Sequence, residues 1–511
     1  MLSTLPKNKC IIGVDIGTSS TKVLAYTDDG KVLAIARRSY PLLQPQPGYA
    51  EQDPEILVQA ALTGITAVCD ELRGQAIIEG FAFSSAMHSL VALDKENKPI
   101  TSLITWADTR SSVESEEISK WAGAALLYER TGVPNHPMTP LTKICWIQKH
   151  RPDIAARTAM YSGIKEYLFF RLFKTHLIDY SLASATGMFD IHTLQWYKPA
   201  LELAGITENQ LPYLVSTTHA CYSLQPALRD QWGLAENIPF CIGASDGCLA
   251  NLGTGAVETG DLAVTVGTSG AVRMAASKAL PDQFGRTFNY VLAPGFYIAG
   301  GPVNNGGIIL KWFSENFMGR TFADAADFAF FLDEAAKAPA GSDGLVCLPY
   351  FLGERAPVWN AAVKGIFYGV QLNHRREHMM RAIVEGISFS LRQIAEILTE
   401  SQGSYTQIYA SGGFVHSPGW MQWLADIFNR PVHITQTDDA SAIGAAMLGW
   451  YALGRIENLA QSKKWISIQQ TFLPDLTRHE SYKESFNQYI LLSDREAYQK
   501  KGFQSREKLP G

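Results

Sequence analysis

Apolar, β-branched residues gather into short runs near the start of the chain and again just past its middle, and the same three residues interrupt both. Residues 11–25 read IIGVDIGTSSTKVLA and residues 262–276 read LAVTVGTSGAVRMAA. Around the first copy the pattern predicts strands at 10–16, 21–27 and 31–37, the last two joined by an Asp28-Asp29-Gly30 turn. Asp53-Pro54-Glu55 supplies an N-cap, a proline at the first helical position and an acid in the first turn. A helix is therefore expected to run on to about Leu72. A strand at 77–83 then enters Ser84-Ser85-Ala86-Met87-His88.

The second half restarts this meander near residue 260. Later a strand at 407–410 enters Ser411-Gly412-Gly413, and Trp420, Trp423, Leu424, Ile427 and Phe428 fall on one face of a following helix. Apolar positions at 380, 383, 387, 391, 394 and 398 mark a long buried helix. A faint echo pairs Ala410–Ser417 with Ala82–Ser89, in the order a duplication would give. The expected fold is α/β, with two similar domains at 1–256 and 257–511 and a cleft between them. The polar, Lys-rich stretch 491–511 is expected to be a mobile tail.

Composition narrows the function classes. A chain of 511 residues exceeds a single core, and 46% hydrophobic residues suffice for two. A net charge of −5 offers no basic face for nucleic acid. The seven cysteines are scattered and form no C-x-x-C pair, which argues for reduced thiols and against zinc. No apolar stretch reaches the roughly 20 residues of a membrane span, and the first apolar run is short and carries Asp15, unlike a signal peptide. A cytoplasmic location is expected. Nothing in the sequence sets the oligomeric state; a homodimer is one option.

A hydroxyl-lined turn between two strands presents N–H and O–H groups to one point, which suits a phosphate. Two copies, at Gly17-Thr18-Ser19 and Gly267-Thr268-Ser269, give the outline of a kinase or ATPase that grips a polyphosphate. No P-loop, Rossmann fingerprint or protein-kinase motif competes with them. Asp15 ends a buried strand beside the first turn and is the candidate magnesium ligand, with Lys22 nearby for phosphate. Asp246 follows the apolar run 238–244 and precedes Gly247. It is the best-placed carboxylate to accept the proton of an attacking hydroxyl. Trp106, Asp108 and Arg110 alternate and, in a strand, share one face that would suit a polyol. Gly412-Gly413 between strand and helix permits close backbone approach and places a helix N-terminus behind it.

Taken together these residues resemble the FGGY carbohydrate kinases, of the actin-like ATPase superfamily, over nearly all of residues 10–450. Two family signatures are present. One runs Met138-x-Pro140-x-x-Lys143-Ile144-x-Trp146-Ile147-x-Lys149-His150. The other runs from Gly365-x-Phe367-x-Gly369-Val370 to His378-Met379-x-x-Ala382-Ile383-Val384-Glu385. The resemblance implies two actin-like (ribonuclease H-like) domains with an interdomain cleft, and ATP with Mg²⁺ as cofactors. It implies Asp246 as catalytic base, Gly17, Thr18 and Ser19 as the first phosphate loop, and Gly267 and Thr268 as the second. Gly307, Lys311, Gly413 and Ser417 would lie along the nucleotide, and Met87, His88, Trp106, Asp108 and Arg110 on the sugar side.

Within the family the chain is most similar to the gluconate kinases, through SAMHS at 85–89, TWADTRS at 105–111, HPMTPLTK at 136–143, GIKEY at 163–167, DYSLASATG at 179–187 and GGPVNNGG at 300–307. Xylulose kinases more usually carry Gly and Asn where this chain has Ser89 and Ala107. The expected reaction is phosphorylation of D-gluconate to 6-phospho-D-gluconate, with another sugar or polyol such as D-xylulose as the alternative. The gluconate carboxylate needs a cation, and Arg110 or Lys165 is the expected partner. A small-molecule sugar acid or polyol is the only partner implied.

Overall fold

The computed structural model describes residues 8–435 and 439–499. The chain divides into two compact units. The first takes 8–259, 275–299 and 439–467, the second 260–274, 300–435 and 468–499. The expected single break at 256/257 thus lies close to the first crossing. The chain then returns twice to the first unit, so neither unit is one continuous segment.

In the first unit the predicted meander is present as β1 (Asn8–Ile16), β2 (Ser20–Thr27) and β3 (Val32–Ser39), followed by β4 (Ala76–Ser85) and β5 (Phe240–Ser245). They lie in one sheet in the order β3-β2-β1-β4-β5, with Ala220–Cys221 on the far edge. β2 runs antiparallel to β1, whereas β4 and β5 run parallel to it. Both faces are covered, so β1 reads as a nearly continuous buried run rather than an alternating one. The helix Pro54–Leu72 starts where expected, with the Asp53 side chain accepting from Glu55 N, and buries Leu57, Ala61, Ile65 and Val68 against one face. The helices Asp246–Thr254 and Ala440–Ala452 cover the other. They approach until a Cβ on Gly253 would lie 1.9 Å from Ala440 O and one on Gly444 2.0 Å from Leu249 O, so only glycine fits at that crossing.

The second unit repeats the plan. Strands β6 (Asp261–Val266), β7 (Gly270–Ala276), β8 (Phe296–Val303), β9 (Gln407–Ser411) and β10 (Val432–Thr435) are ordered β8-β7-β6-β9-β10, and the chain passes between units within β7 and β8. β7 is antiparallel to β6, and β9 and β10 follow in parallel. The order is the same, and β6, β7, β9 and β10 repeat the directions of β1, β2, β4 and β5, as a duplication would give, but the sequence echo is one residue out of step. Asp15 pairs with Ser84 and Thr265 with Ser411, so Ser411 stands where Ser84 does. The long helix is Arg376–Gln402 and the Trp-bearing one Pro418–Phe428.

The expected mobile tail is helical at its start, because Leu476–Gln499 is one helix; residues 500–511 lie outside the described residues. Among the described residues no helix is long and apolar enough to cross a membrane. All seven cysteines are free thiols.

Candidate active site

Three neighbouring parallel strands of the first unit end together: Ile16 is in register with Ser85, and Ser85 with Ser245. The chain leaves them as Gly17-Thr18-Ser19, Ala86-Met87-His88 and Asp246. Sequence reasoning selected these three segments separately, and the sheet brings them to one edge, the carboxyl ends at which open α/β sheets bind ligands.

The Gly17–Ser19 turn has its carbonyls engaged from behind. Gly17 O accepts from Tyr40 Oη (2.6 Å), Thr18 O from Gln52 Nε2 (2.7 Å) and Ser19 O from Tyr40 N (3.2 Å). Gly17 N closes the turn onto Ser20 O (3.0 Å), so the N–H groups that face an anion are those of Thr18 and Ser19. Asp15, 6% exposed, accepts a 2.7 Å bond from Ser84 Oγ; burial pushes its carboxyl up, while the Ser84 bond and Lys22 pull it back down. Lys22 is already engaged. Its Nζ lies 3.2 Å from Asp439, which also holds Arg37 at 2.7 Å, so beside the first turn Lys22 belongs to an ion-pair cluster.

Asp246 opens the helix Asp246–Thr254 rather than a simple turn. Its Oδ1 accepts from Gly247 N (2.7 Å), and its carbonyl accepts from Ser441 Oγ (3.1 Å). A carboxylate in the first turn is favoured by the helix dipole. The strand leading to it carries a bulge. The β4–β5 register shifts between Cys241 and Ala244, where Gly243 has φ +73° and a Cβ would lie 1.7 Å from Phe83 O.

The sugar-side expectations divide. Trp106 is half-buried, and its Nε1 donates to Thr18 Oγ1 (2.9 Å), joining the expected sugar side to the first phosphate turn. The shared strand face is wrong, however, because residues 106–110 form turns. Asp108 is 1% exposed and fully used, accepting from Ala50 N and from Arg110 N, Nε and an Nη. Arg110 also reaches Glu51 (2.5 Å) and lies 3.7 Å from the centre of the Tyr49 ring. Its charge is spent on two carboxylates. Lys165 is wholly buried, paired with Asp179 at 2.8 Å and donating to Ala244 O at 2.9 Å behind β5. Neither cation is presented to a sugar acid, so both expected carboxylate partners become structural. His88 is a positioned core residue too, with Nδ1 2.8 Å from Ala185 O, Nε2 3.3 Å from Tyr290 Oη, and φ +64°.

In the second unit the expected nucleotide residues converge. Gly267, Thr268, Gly307, Lys311, Gly413 and Ser417 all line one cavity of about 740 Å³. Gly306 N and Ile308 N bond Thr268 O, and Gly307 N bonds Gly267 O at 2.7 Å, so the 306–308 loop backs the second phosphate turn. Ser417 caps the helix Pro418–Phe428 by accepting from Trp420 N. Gly412 has φ +101°, and a Cβ there would meet Val266 O at 2.5 Å, which explains the first glycine of that pair.

Family models for the N-terminal and C-terminal domains of the FGGY family of carbohydrate kinases match residues 10–253 and 262–453. The chain belongs to this family. The kinase is 41% identical to a gluconokinase from Bacillus subtilis over 489 residues, 94% of this chain and 95% of that protein. Two crystal structures from Lactobacillus acidophilus resemble it with TM-scores of 0.91. One is a gluconate kinase, 32% identical and covering 98% of this chain and all of its own. The other is a ligand-bound xylulose kinase, 33% identical and covering 97% of this chain and all of its own.

Magnesium bound with a nucleotide takes one or two carboxylates and keeps several waters. Asp15 and Asp246, the two carboxylates at the sheet edge, fit that demand. Residues that sequence reasoning passed over also shape these places. Tyr40 and Gln52 hold the first turn, and Phe322, Phe328 and Trp423 wall the cavity. The apolar stripe containing Trp423 was the only signal for that wall, and it reads equally well as core.

Proposed function

We propose that this kinase phosphorylates D-gluconate on its terminal hydroxyl, with ATP as donor, to give 6-phospho-D-gluconate. The convergence of Gly17–Ser19, Met87 and Asp246 at the ends of three parallel strands carries the sugar-kinase chemistry. The 41% identity to a gluconokinase favours gluconate, whereas the two structural neighbours favour gluconate and xylulose about equally.

Asp246 takes the proton of the attacking hydroxyl. Its Oδ1 is oriented by Gly247 N–H, which fixes the carboxylate before substrate arrives. Met87 and Trp106 flank the sugar, and Thr18 and Ser19 hold phosphate oxygen through N–H and hydroxyl groups. In the second unit Gly267, Thr268, Gly307 and Lys311 bind the donor phosphates, and Gly413 and Ser417 lie against the nucleoside. Bound magnesium would neutralise phosphate charge, held by Asp15 with or without Asp246. The rest is positioning, on which phosphoryl transfer chiefly depends.

The test is ADP release with Mg-ATP across D-gluconate, D-xylulose, glycerol and no sugar. Gluconate-dependent turnover, reduced about 10²–10⁴-fold in Asp246→Asn, is expected. Turnover with xylulose alone would discard the gluconate assignment, and an Asp246→Asn enzyme of normal rate would discard the base.

A further inference from the structure

Lys143 lies in the first turn of the helix Pro140–His150 and is wholly buried. That is an expensive place for an ammonium group. A cation at a helix N-terminus opposes the dipole, and of the nearby charges Asp108 favours the ammonium while Arg110 opposes it. Burial lowers its pKa to about 7. Its two partners are backbone carbonyls, His88 O at 2.5 Å and Thr105 O at 2.8 Å.

Those carbonyls have a particular location. Leu90 and Ile104 exchange both backbone bonds, Leu90 N to Ile104 O at 2.9 Å and Ile104 N to Leu90 O at 2.8 Å. The pairing goes no further, because the two segments part where His88 turns into the left-handed region and the chain bends at Trp106. Lys143 Nζ sits in that fork. One residue beyond each carbonyl are Met87 on one branch and Trp106 on the other, and the Trp106 indole in turn holds Thr18 Oγ1 of the phosphate turn.

We propose that Lys143 is the positioning residue of the sugar side, a brace that sets the spacing of Met87 and Trp106 by holding the carbonyls of His88 and Thr105. It need touch no substrate. An ammonium or a neutral amine serves alike, since either has N–H bonds for both carbonyls. The proposal rests on the sugar-kinase reading and gives a role to a lysine that the family signature only marks.

The test is steady-state kinetics of Lys143→Met, which keeps the length and loses the donors, beside Lys143→Gln, which keeps a donor. Each is assayed with the sugar that the wild type has first been shown to phosphorylate. Failure of the gluconate assignment would then show in the wild-type panel and leave this comparison intact. A brace predicts a sugar KM raised about tenfold or more in Lys143→Met with the ATP KM within about twofold, and an intermediate sugar KM in Lys143→Gln. Should Lys143→Met fail to fold, Lys143→Gln alone must show the same one-sided rise, by kinetics and by calorimetric titration of the sugar. Both KM values rising together, or neither moving while the melting temperature falls, would make Lys143 a packing residue and overturn the proposal.

Discussion

At the scale of single residues, Trp106 and Arg110 are defined by what they touch: the indole N–H holds Thr18 Oγ1, and the guanidinium pairs with Asp108 and Glu51. The Gly-Thr-Ser turns declare themselves because the strand, the turn and the hydroxyls are consecutive. Asp246 does so because a strand, an acid and a glycine follow in order. Arg110 and Lys165 misled for the opposite reason. Glu51, Tyr49, Asp179 and the carbonyl of Ala244 consume their charge, and none of these can be placed beside them without the fold. Trp106 has a polar tip as well as a ring, and its indole N–H is bonded to Thr18 Oγ1. Trp106→Phe keeps a ring and deletes that one bond. A net hydrogen bond of about 1 kcal/mol corresponds to roughly a fivefold fall in kcat/KM. Steady-state kinetics would read it, and an unchanged kcat/KM would show that the indole N–H does not order the turn.

At the scale of elements, periodicity and caps gave the strands and helices that carry the site, and the misses have physical causes. The 106–110 stretch alternates like a strand, yet Asp108 folds back on Arg110 and on Ala50 N, closing turns instead. The echo between 82–89 and 410–417 was aligned on shared Ala, His and Ser side chains. The backbone ladder sets the equivalence one residue away, where the Asp15–Ser84 bond (2.7 Å) is matched by Thr265–Ser411 (2.9 Å). The bulge in β5 left no trace in the apolar pattern, although it directs the strand that delivers Asp246. Gly243→Ala would place a Cβ against Phe83 O in a left-handed conformation. The expected cost is at least about 2–3 kcal/mol of stability, together with a fall in kcat larger than any change in the ATP KM. Urea unfolding and kinetics on the same preparation would check it. A stable, fully active Gly243→Ala protein would mean that the bulge does not aim Asp246.

At the scale of the whole molecule, the duplication was readable and the partition was not. Contiguous domains were the natural assumption, yet the first unit recovers 275–299 and 439–467 from the second half of the sequence, because the helix Ala440–Ala452 completes its core. Elsewhere in the first unit the helix Ile164–Phe173 carries a buried carboxyl. Glu166 is 2% exposed, its Oε1 has no hydrogen-bond partner, and burial, with Asp179 adding to it, raises its carboxyl from 4.5 to about 7. A carboxyl raised on folding binds its proton more tightly in the native state than in the unfolded one. Its contribution is therefore complete below pH 4.5 and is lost as pH rises to about 7. The loss from this one group is at most roughly 3 kcal/mol. Glu166→Gln stays neutral throughout, so its stability relative to the wild type should rise across that interval and level off above it. Thermal or urea melts at several pH values, following the transition of the first unit, would show this. Parallel wild-type and Glu166→Gln curves would mean that Glu166 ionises in the native protein as readily as in the unfolded chain, with water reaching the cavity formed around Tyr161, Ser89 and Glu166.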